Sequence, residues 1–267
     1  MPGAAADESP HNAGVPPDTA PAPRRPQLAT ETVVQHLEDL IFHGELEPGD
    51  SLPSESELAQ ALDLSRLTVR EAVRALQARG LIEVAHGRRP IVAHPNARPL
   101  TDFFSASVRR DPRSLFELLE VRLAIEVHAA QLAALHATPG DLAAIAAHLD
   151  VMRRSAEDES AFHQADIRFH AAIAAASGNR MLMFMLEGME GSLHLSRLES
   201  IRGHKSRSDG LAHLIDQHAD IYRCIATRDV AGATAEMRRH LVDTRNDLRA
   251  AFSLTTIGGA EGRHRPR

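Results

Sequence analysis

The sequence predicts a mainly α-helical protein in two parts: a front block of three short helices closed by a small β-hairpin, and behind it an all-α bundle of about six helices. Three observations carry that expectation. Aromatic residues make up only 3% of the chain, with no Trp and a single Tyr222, while Ala and Leu abound, which favours helices over sheets. Apolar residues recur at three- and four-residue spacing through most of the chain. Helix starts are marked by capping residues followed by Glu or Pro, as at Ser54, Asp111-Pro112 and Thr138-Pro139.

The elements follow in order. Residues 1–27, rich in Pro and Ala and without periodicity, read as a disordered arm. The front block spans 28–94. In ETVVQHLEDLIFHG apolar residues at 33, 34, 37, 40 and 41 form a helical stripe that stops at Gly44. SESELAQALD opens with Ser54 and has Glu57 three residues on, a capping-box signature. SRLTVREAVRALQARG starts at the N-cap Ser65, buries Val69, Ala72, Val73 and Leu76, and ends at Gly80. LIEVA and PIVAH, separated by HGRR, read as the hairpin. Residues 95–111 are expected to be a linker. From 112 to 254 helices are expected near 112–136, 139–156, 159–176, 180–201, 210–227 and 230–253, with RGHKSRSD (202–209) as a polar loop and 255–267 as a flexible tail.

Composition narrows the function. A length of 267 residues suits one large domain or two smaller ones. Cys224 is the only cysteine, which excludes an intramolecular disulfide and points to a reducing, cytoplasmic compartment. No apolar run reaches the roughly 18 residues of a membrane span, and the N-terminus lacks the basic-then-apolar order of a signal peptide. A net charge of −6 argues against a generally basic nucleic-acid binder and leaves room for a local basic patch.

Such a patch lies in the front block. Between 66 and 89 there are Arg66, Arg70, Arg74, Arg79, Arg88 and Arg89 against Glu71 and Glu83. Arg66, Arg70 and Arg74 recur every four residues, away from the buried stripe. Such a row can contact guanine edges and phosphates; equally, it can be a solvated arginine face. Two short helices, a turn and a third helix followed by a hairpin are the parts of a winged helix-turn-helix. The wording sharpens the reading. L-x-PG-x-x-LPSE-x-x-LA, then LSR-x-TVREAV-x-x-L, then GLI resembles the winged helix-turn-helix of the GntR family of bacterial transcription regulators, across residues 28–93. The resemblance implies Arg66 and Arg70 in the major groove, Ser65 and Thr68 at phosphates or base edges, and His86 and Gly87 at the wing tip near the minor groove. Ser56 stands where the family usually carries Arg, and Arg88 and Arg89 can supply that contact.

In the back block, ADIRFHAAI places Asp166 and His170 on one helix face, four residues apart. An oxygen and a nitrogen ligand suit a divalent ion such as zinc or nickel. Of the sixteen histidines, His43, His94, His204 and His264 fall in loops or termini, whereas His218 and His240 lie mid-helix. A mid-helix histidine can also be merely structural. D-x-x-F-H, H-x-x-I and A-x-x-x-M-x-x-HL, with LLEVRLAIEVHAAQLAA and the ASGN step, resemble the FCD effector domain of FadR-type GntR regulators over about 112–250. The resemblance implies one divalent metal, zinc first, with nickel or another transition metal open, held by Asp166, His170, His218 and His240. It also implies a small organic acid as effector. Arg122 matches a position that can face this pocket; the alternative is a surface or interdomain salt bridge.

The expected function is therefore a homodimeric transcription regulator on a near-palindromic double-stranded operator; the resemblance implies a repressor, with release by the acid as the commoner outcome. The competing class is a metal-dependent hydrolase or oxygenase. Against it, the adjacent His-Asp dyad of metal-dependent phosphohydrolases, H-E-x-x-H, a Gly-rich phosphate loop and a nucleophile elbow are all missing from the sequence, and an enzyme has no use for the 28–93 block.

Overall fold

The computed structural model describes residues 25–85, 88–205 and 211–260, and the chain divides into two units. The first holds α1 (Arg25–Phe42), α2 (Glu55–Ala61), most of α3 (Arg66–Ala78), β1 (Ile82–Glu83) and β2 (Ile91–Val92). Helix α1 starts within the expected arm, with Pro26 in its first turn, where no backbone N–H is needed. Gly44, at φ +79°, follows its end in the left-handed region that glycine adopts freely. The capping box at α2 forms as the sequence suggests: Ser54 N–H donates to Glu57 Oε2 at 2.6 Å and Glu57 N–H to Ser54 Oγ at 3.2 Å. Helix α3 buries Val69, Ala72, Val73 and Leu76, the stripe read from its spacing.

The hairpin is shorter than its two five-residue runs suggested. Ile82 pairs with Val92 and Glu83 with Ile91, and there the ladder stops. One step further, Val84 would face Pro90, which has no N–H to give. A further edge that the sequence did not reveal completes the small sheet. Ser51 bridges Ile91, Val92 N–H donates to Asp50 O at 2.9 Å, and Leu52 N–H donates to Pro90 O at 2.8 Å. Pro48, Gly49 and Pro53 disguise that segment as a turn. This is a winged helix-turn-helix.

The second unit is a helical bundle: α4 (Arg98–Arg110), α5 (Ser114–His136), α6 (Pro139–Arg154), α7 (Glu159–Ala176), α8 (Arg180–Lys205), α9 (Ala212–Ala226) and α10 (Val230–Ala260). Six of these are the expected helices. The seventh, α4, replaces most of the segment read as a linker. Pro99 is harmless in its first turn, and Phe104 and Val108 pack against Leu115, Leu118 and Leu119 of α5 and Leu186, Met189 and Leu193 of α8. Two helices outrun their expected ends. Helix α8 takes in the first half of the polar loop, and α10 continues into the expected tail. Thr138 and Asp141 close a capping box at α6, and Asp158 Oδ1 accepts from Ser160 and Ala161 N–H at α7. Among the described residues no helix is long and apolar enough to cross a membrane.

Helix α4 approaches α8 closely because Gly188 has no side chain. A Cβ there would lie 2.6 Å from Leu100 Cβ, whereas one on Gly191 would meet nothing within 4 Å. Gly188→Ala should therefore destabilise the bundle by about 1–3 kcal/mol. Gly191→Ala should be neutral or stabilising by about 0.5–1 kcal/mol. Denaturant unfolding of the two variants checks this, and equal effects would remove the close approach.

Candidate metal centre and nucleic-acid interface

Three helices of the second unit bring the sequence-predicted set together. Asp166 and His170 come from α7, His218 from α9 and His240 from α10; all four are buried, and one ligand atom from each lies within 4.8 Å of the others. His218 Nε2 is 3.0 Å from Asp166 Oδ1, and His170 Nε2 is 3.2 Å from His240 Nε2.

The surroundings fix which nitrogen of each ring faces inward. His218 Nδ1 lies 2.7 Å from the carbonyl of Leu214, so it carries the proton. His170 Nδ1 is paired with the Glu126 carboxylate, again an acceptor. His240 Nδ1 lies 3.2 Å from Gln217 Oε1, and Gln217 Nε2 donates to Asp243 Oδ2 at 2.7 Å, which sets the amide's orientation. All three rings are therefore Nδ1–H tautomers with Nε2 lone pairs directed at one another and at a carboxylate. Outer partners of this kind orient metal-binding histidines. Two lone pairs at 3.2 Å repel unless a cation sits between them, so the donor set fits a divalent metal.

Charged side chains surround this cluster. Burial works to raise the Asp166 pKa, but the Arg197 guanidinium, donating to Oδ2 at 2.6 Å, holds it well below the usual carboxylate range. Burial likewise opposes ionisation of Glu126, and Arg122 and His170 overcome it. Burial lowers the pKa of His170, and that of His240 further, with His218 and His170 adding to the effect on His240. Arg122 is 1% exposed and paired with Glu126 one turn on, so it is a buried intrahelical partner and not a surface or interdomain bridge. It lines a cavity with Asp166, Arg197, Ser200, His240 and Thr244. The cavity measures ≈ 10 Å³, on the order of the room one water takes up.

Sequence reasoning missed Glu126 and Arg197. Glu126 could have been found from Arg122, four residues earlier and one turn away on the same helix face. Arg197 gives no such signal, because SRLESIR reads as an ordinary solvated face. His204, assigned to a loop from the sequence, lies buried in α8, with Nδ1 at 2.9 Å from Ser200 O and 3.2 Å from Asp247 Oδ2.

In the first unit, α3 presents Arg66, Arg70 and Arg74 to solvent. Ser65 caps the helix, its Oγ accepting from Thr68 N–H at 3.1 Å and lying 2.8 Å from Thr68 Oγ1. Arg70 donates to Glu55 from Nε at 3.2 Å and from NH2 at 2.9 Å. Arg88 is exposed beside the wing turn, and Arg89 lies 3.7 Å from Glu57. His86 and Gly87, expected at the wing tip, fall outside the described residues.

A winged helix-turn-helix with an arginine face, joined to a helical unit with a buried Asp/His cluster, is the architecture of a DNA-binding regulator. Comparison with known proteins gives the same class. Residues 29–92 match the model of bacterial regulatory proteins of the gntR family, and residues 117–243 match the FCD domain. The chain is 33% identical to the Glc operon transcriptional activator of Escherichia coli strain K12, over 84% of this chain and 90% of that one. It is 33% identical to the HTH-type transcriptional regulator LutR of Bacillus subtilis, over 80% and 98% respectively. It is 30% identical to the HTH-type transcriptional repressor NanR of Salmonella newport, over 82% and 85%. Among solved structures, Streptococcus agalactiae GntR superposes with a TM-score of 0.63 at 25% identity, covering 81% of this chain and 99% of that one. The chain belongs to the GntR family of transcription regulators, with an FCD domain as its second part. These relatives are regulators, not enzymes.

Proposed function

We propose that the chain is an operator-binding regulator whose hold on DNA is set by a small organic acid bound at a divalent metal, held by Asp166, His170, His218 and His240. The observation that carries this reading is the convergence of three Nε2 lone pairs, each fixed by its Nδ1 partner, on one buried carboxylate. Three nitrogens and one oxygen suit zinc first, with nickel or another transition metal as the alternative. The metal would supply a Lewis-acidic anchor for the acid's carboxylate. Arg122 and Arg197 are the cations beside that position, and a guanidinium can grip a carboxylate with two hydrogen bonds. The cavity is water-sized, so an acid enters only if neighbouring side chains, Arg197 foremost, give way from Asp166. Helices α5, α7, α8, α9 and α10 each contribute a group here, so the acid biases a packed multi-helix junction, as a two-state sensor requires.

On the DNA side, Arg66 and Arg70 read base edges, Ser65 and Thr68 meet phosphates or base edges, and His86, Gly87 and Arg88 serve the wing. One short recognition helix reads too few bases alone, so the working form is a cytoplasmic two-fold homodimer on a near-palindrome. Repression relieved by the acid is the expected direction. A reporter whose expression falls when the acid is added would reverse it, and sedimentation showing a monomer on a single half-site would remove the dimer.

Arg70 must exchange Glu55 for DNA. Their ion pair is exposed, and such pairs contribute little to folding. Arg70→Ala should therefore leave thermal stability nearly unchanged while weakening specific operator binding roughly ten- to hundredfold. Fluorescence anisotropy at moderate salt measures this, and unchanged affinity would take Arg70 out of the interface. The proposal as a whole is tested by a thermal-shift screen of small carboxylic acids against zinc-loaded and metal-free protein. A stabilising acid that acts only on the loaded form supports it. Equal stabilisation of both forms, or none across the screen, contradicts it.

A further inference from the structure

Leu67 is 64% exposed in the first turn of α3, among the few large apolar side chains the first unit leaves in solvent. A lone exposed leucine is ordinary on a protein surface. Its position is not. At 100° per residue it lies opposite the buried stripe of Val69, Ala72, Val73 and Leu76, on the face that also carries Arg70 at i+3 and Arg74 at i+7. Arg66, the first residue of the helix, stands next to it. The fold therefore places an apolar side chain at the edge of a row of guanidinium groups, at the N-terminal end that reaches base edges in helix-turn-helix docking. It contributes nothing to the core. Against phosphates, or against the polar edges of guanine, adenine or cytosine, it would only strip water from polar atoms. One group in the major groove suits it, the C5 methyl of thymine.

We infer that Leu67 is a specificity-determining residue that packs on the methyl of one thymine per half-site, favouring T over C beside the bases read by Arg66 and Arg70. This rests on operator binding through α3 and deepens that reading. The test uses the full-length chain and a duplex selected by it from a random-sequence library, with each thymine replaced in turn by deoxyuridine, which lacks only the methyl. At one thymine per half-site the replacement should weaken wild-type binding roughly fourfold, the worth of one buried methyl group. Leu67→Ala should fold with an unchanged melting temperature, because the side chain is exposed. It should bind the thymine operator more weakly, with the same salt dependence, because no phosphate contact is lost. It should show no sensitivity to deoxyuridine at that position. If wild type binds the selected duplex and is indifferent to every replacement, or if Leu67→Ala keeps the full sensitivity, the assignment is overturned while operator binding stands. If wild type selects no duplex, both fall.

Discussion

His218→Ala is expected to lose the metal and the effector response together while keeping basal DNA binding. Replacing an outer-shell partner of a metal ligand typically costs 10- to 100-fold in affinity, and loss of a direct ligand should exceed about 100-fold. Wild type saturated with zinc at about a thousand times its Kd gains roughly 4 kcal/mol by mass action, read as a raised melting temperature; at the same zinc concentration the variant should gain less than about 1.4 kcal/mol. The residues proposed to read DNA lie in the other unit, so metal-free variant and metal-free wild type should bind a non-specific duplex alike. The pH dependence has a defined sign. Histidine coordinates only when neutral, and burial lowers the pKa of His170 and His240. Protons therefore compete for these ligands only below the ordinary imidazole value of about 6.5, and metal affinity should hold through neutral pH and fall beneath it. In metal-free protein the same lowered values stabilise the fold above about pH 6.5, a contribution lost as the pH falls toward the folded-state values. A variant that keeps stoichiometric zinc and a normal response would detach His218 from the site.

Asp166→Ala should have the largest effect on the metal-free fold. Asp166 and Arg197 are both buried, 2.6 Å apart, and Arg197's other acceptor is Glu190 at 3.3 Å. Removing the carboxylate leaves a guanidinium in the interior with one peripheral partner. Breaking a buried pair in this way costs about 3–5 kcal/mol. Replacing both members together, as Asp166→Ala with Arg197→Met, should recover part of that loss, because no uncompensated charge then remains. Denaturant unfolding of the two variants measures the difference. A single variant that costs no more than an ordinary surface substitution, about 0.5 kcal/mol, would mean that the pair is not buried in solution.

Local grammar made the first unit readable. Ser54 and Glu57 announce α2, Ser65 announces α3, and the Val69-to-Leu76 stripe fixes which face of α3 turns inward. The buried Asp/His cluster was readable because Asp166 and His170 share a helix face and the resemblance to the FCD domain singled out His218 and His240, both mid-helix. What escaped depends on partners distant in sequence. Helix α4 looked like a linker because its apolar residues find their partners on α5 and α8, and because Pro99 suggests a break that the first turn tolerates. Arg197 resembles any surface arginine until α7 places Asp166 against it, 31 residues away. His204 seemed to belong to a loop because the polar text around it hides that α8 continues, with Asp247 of α10 beside it.

X-ray absorption at the zinc edge, on protein loaded with one equivalent of zinc, tests the central claim most directly. Coordination by three imidazole nitrogens at about 2.0–2.1 Å together with oxygen is the expected result. A sulfur ligand, which only Cys224 or a methionine could supply, or fewer than two imidazoles, would contradict a site built from Asp166, His170, His218 and His240.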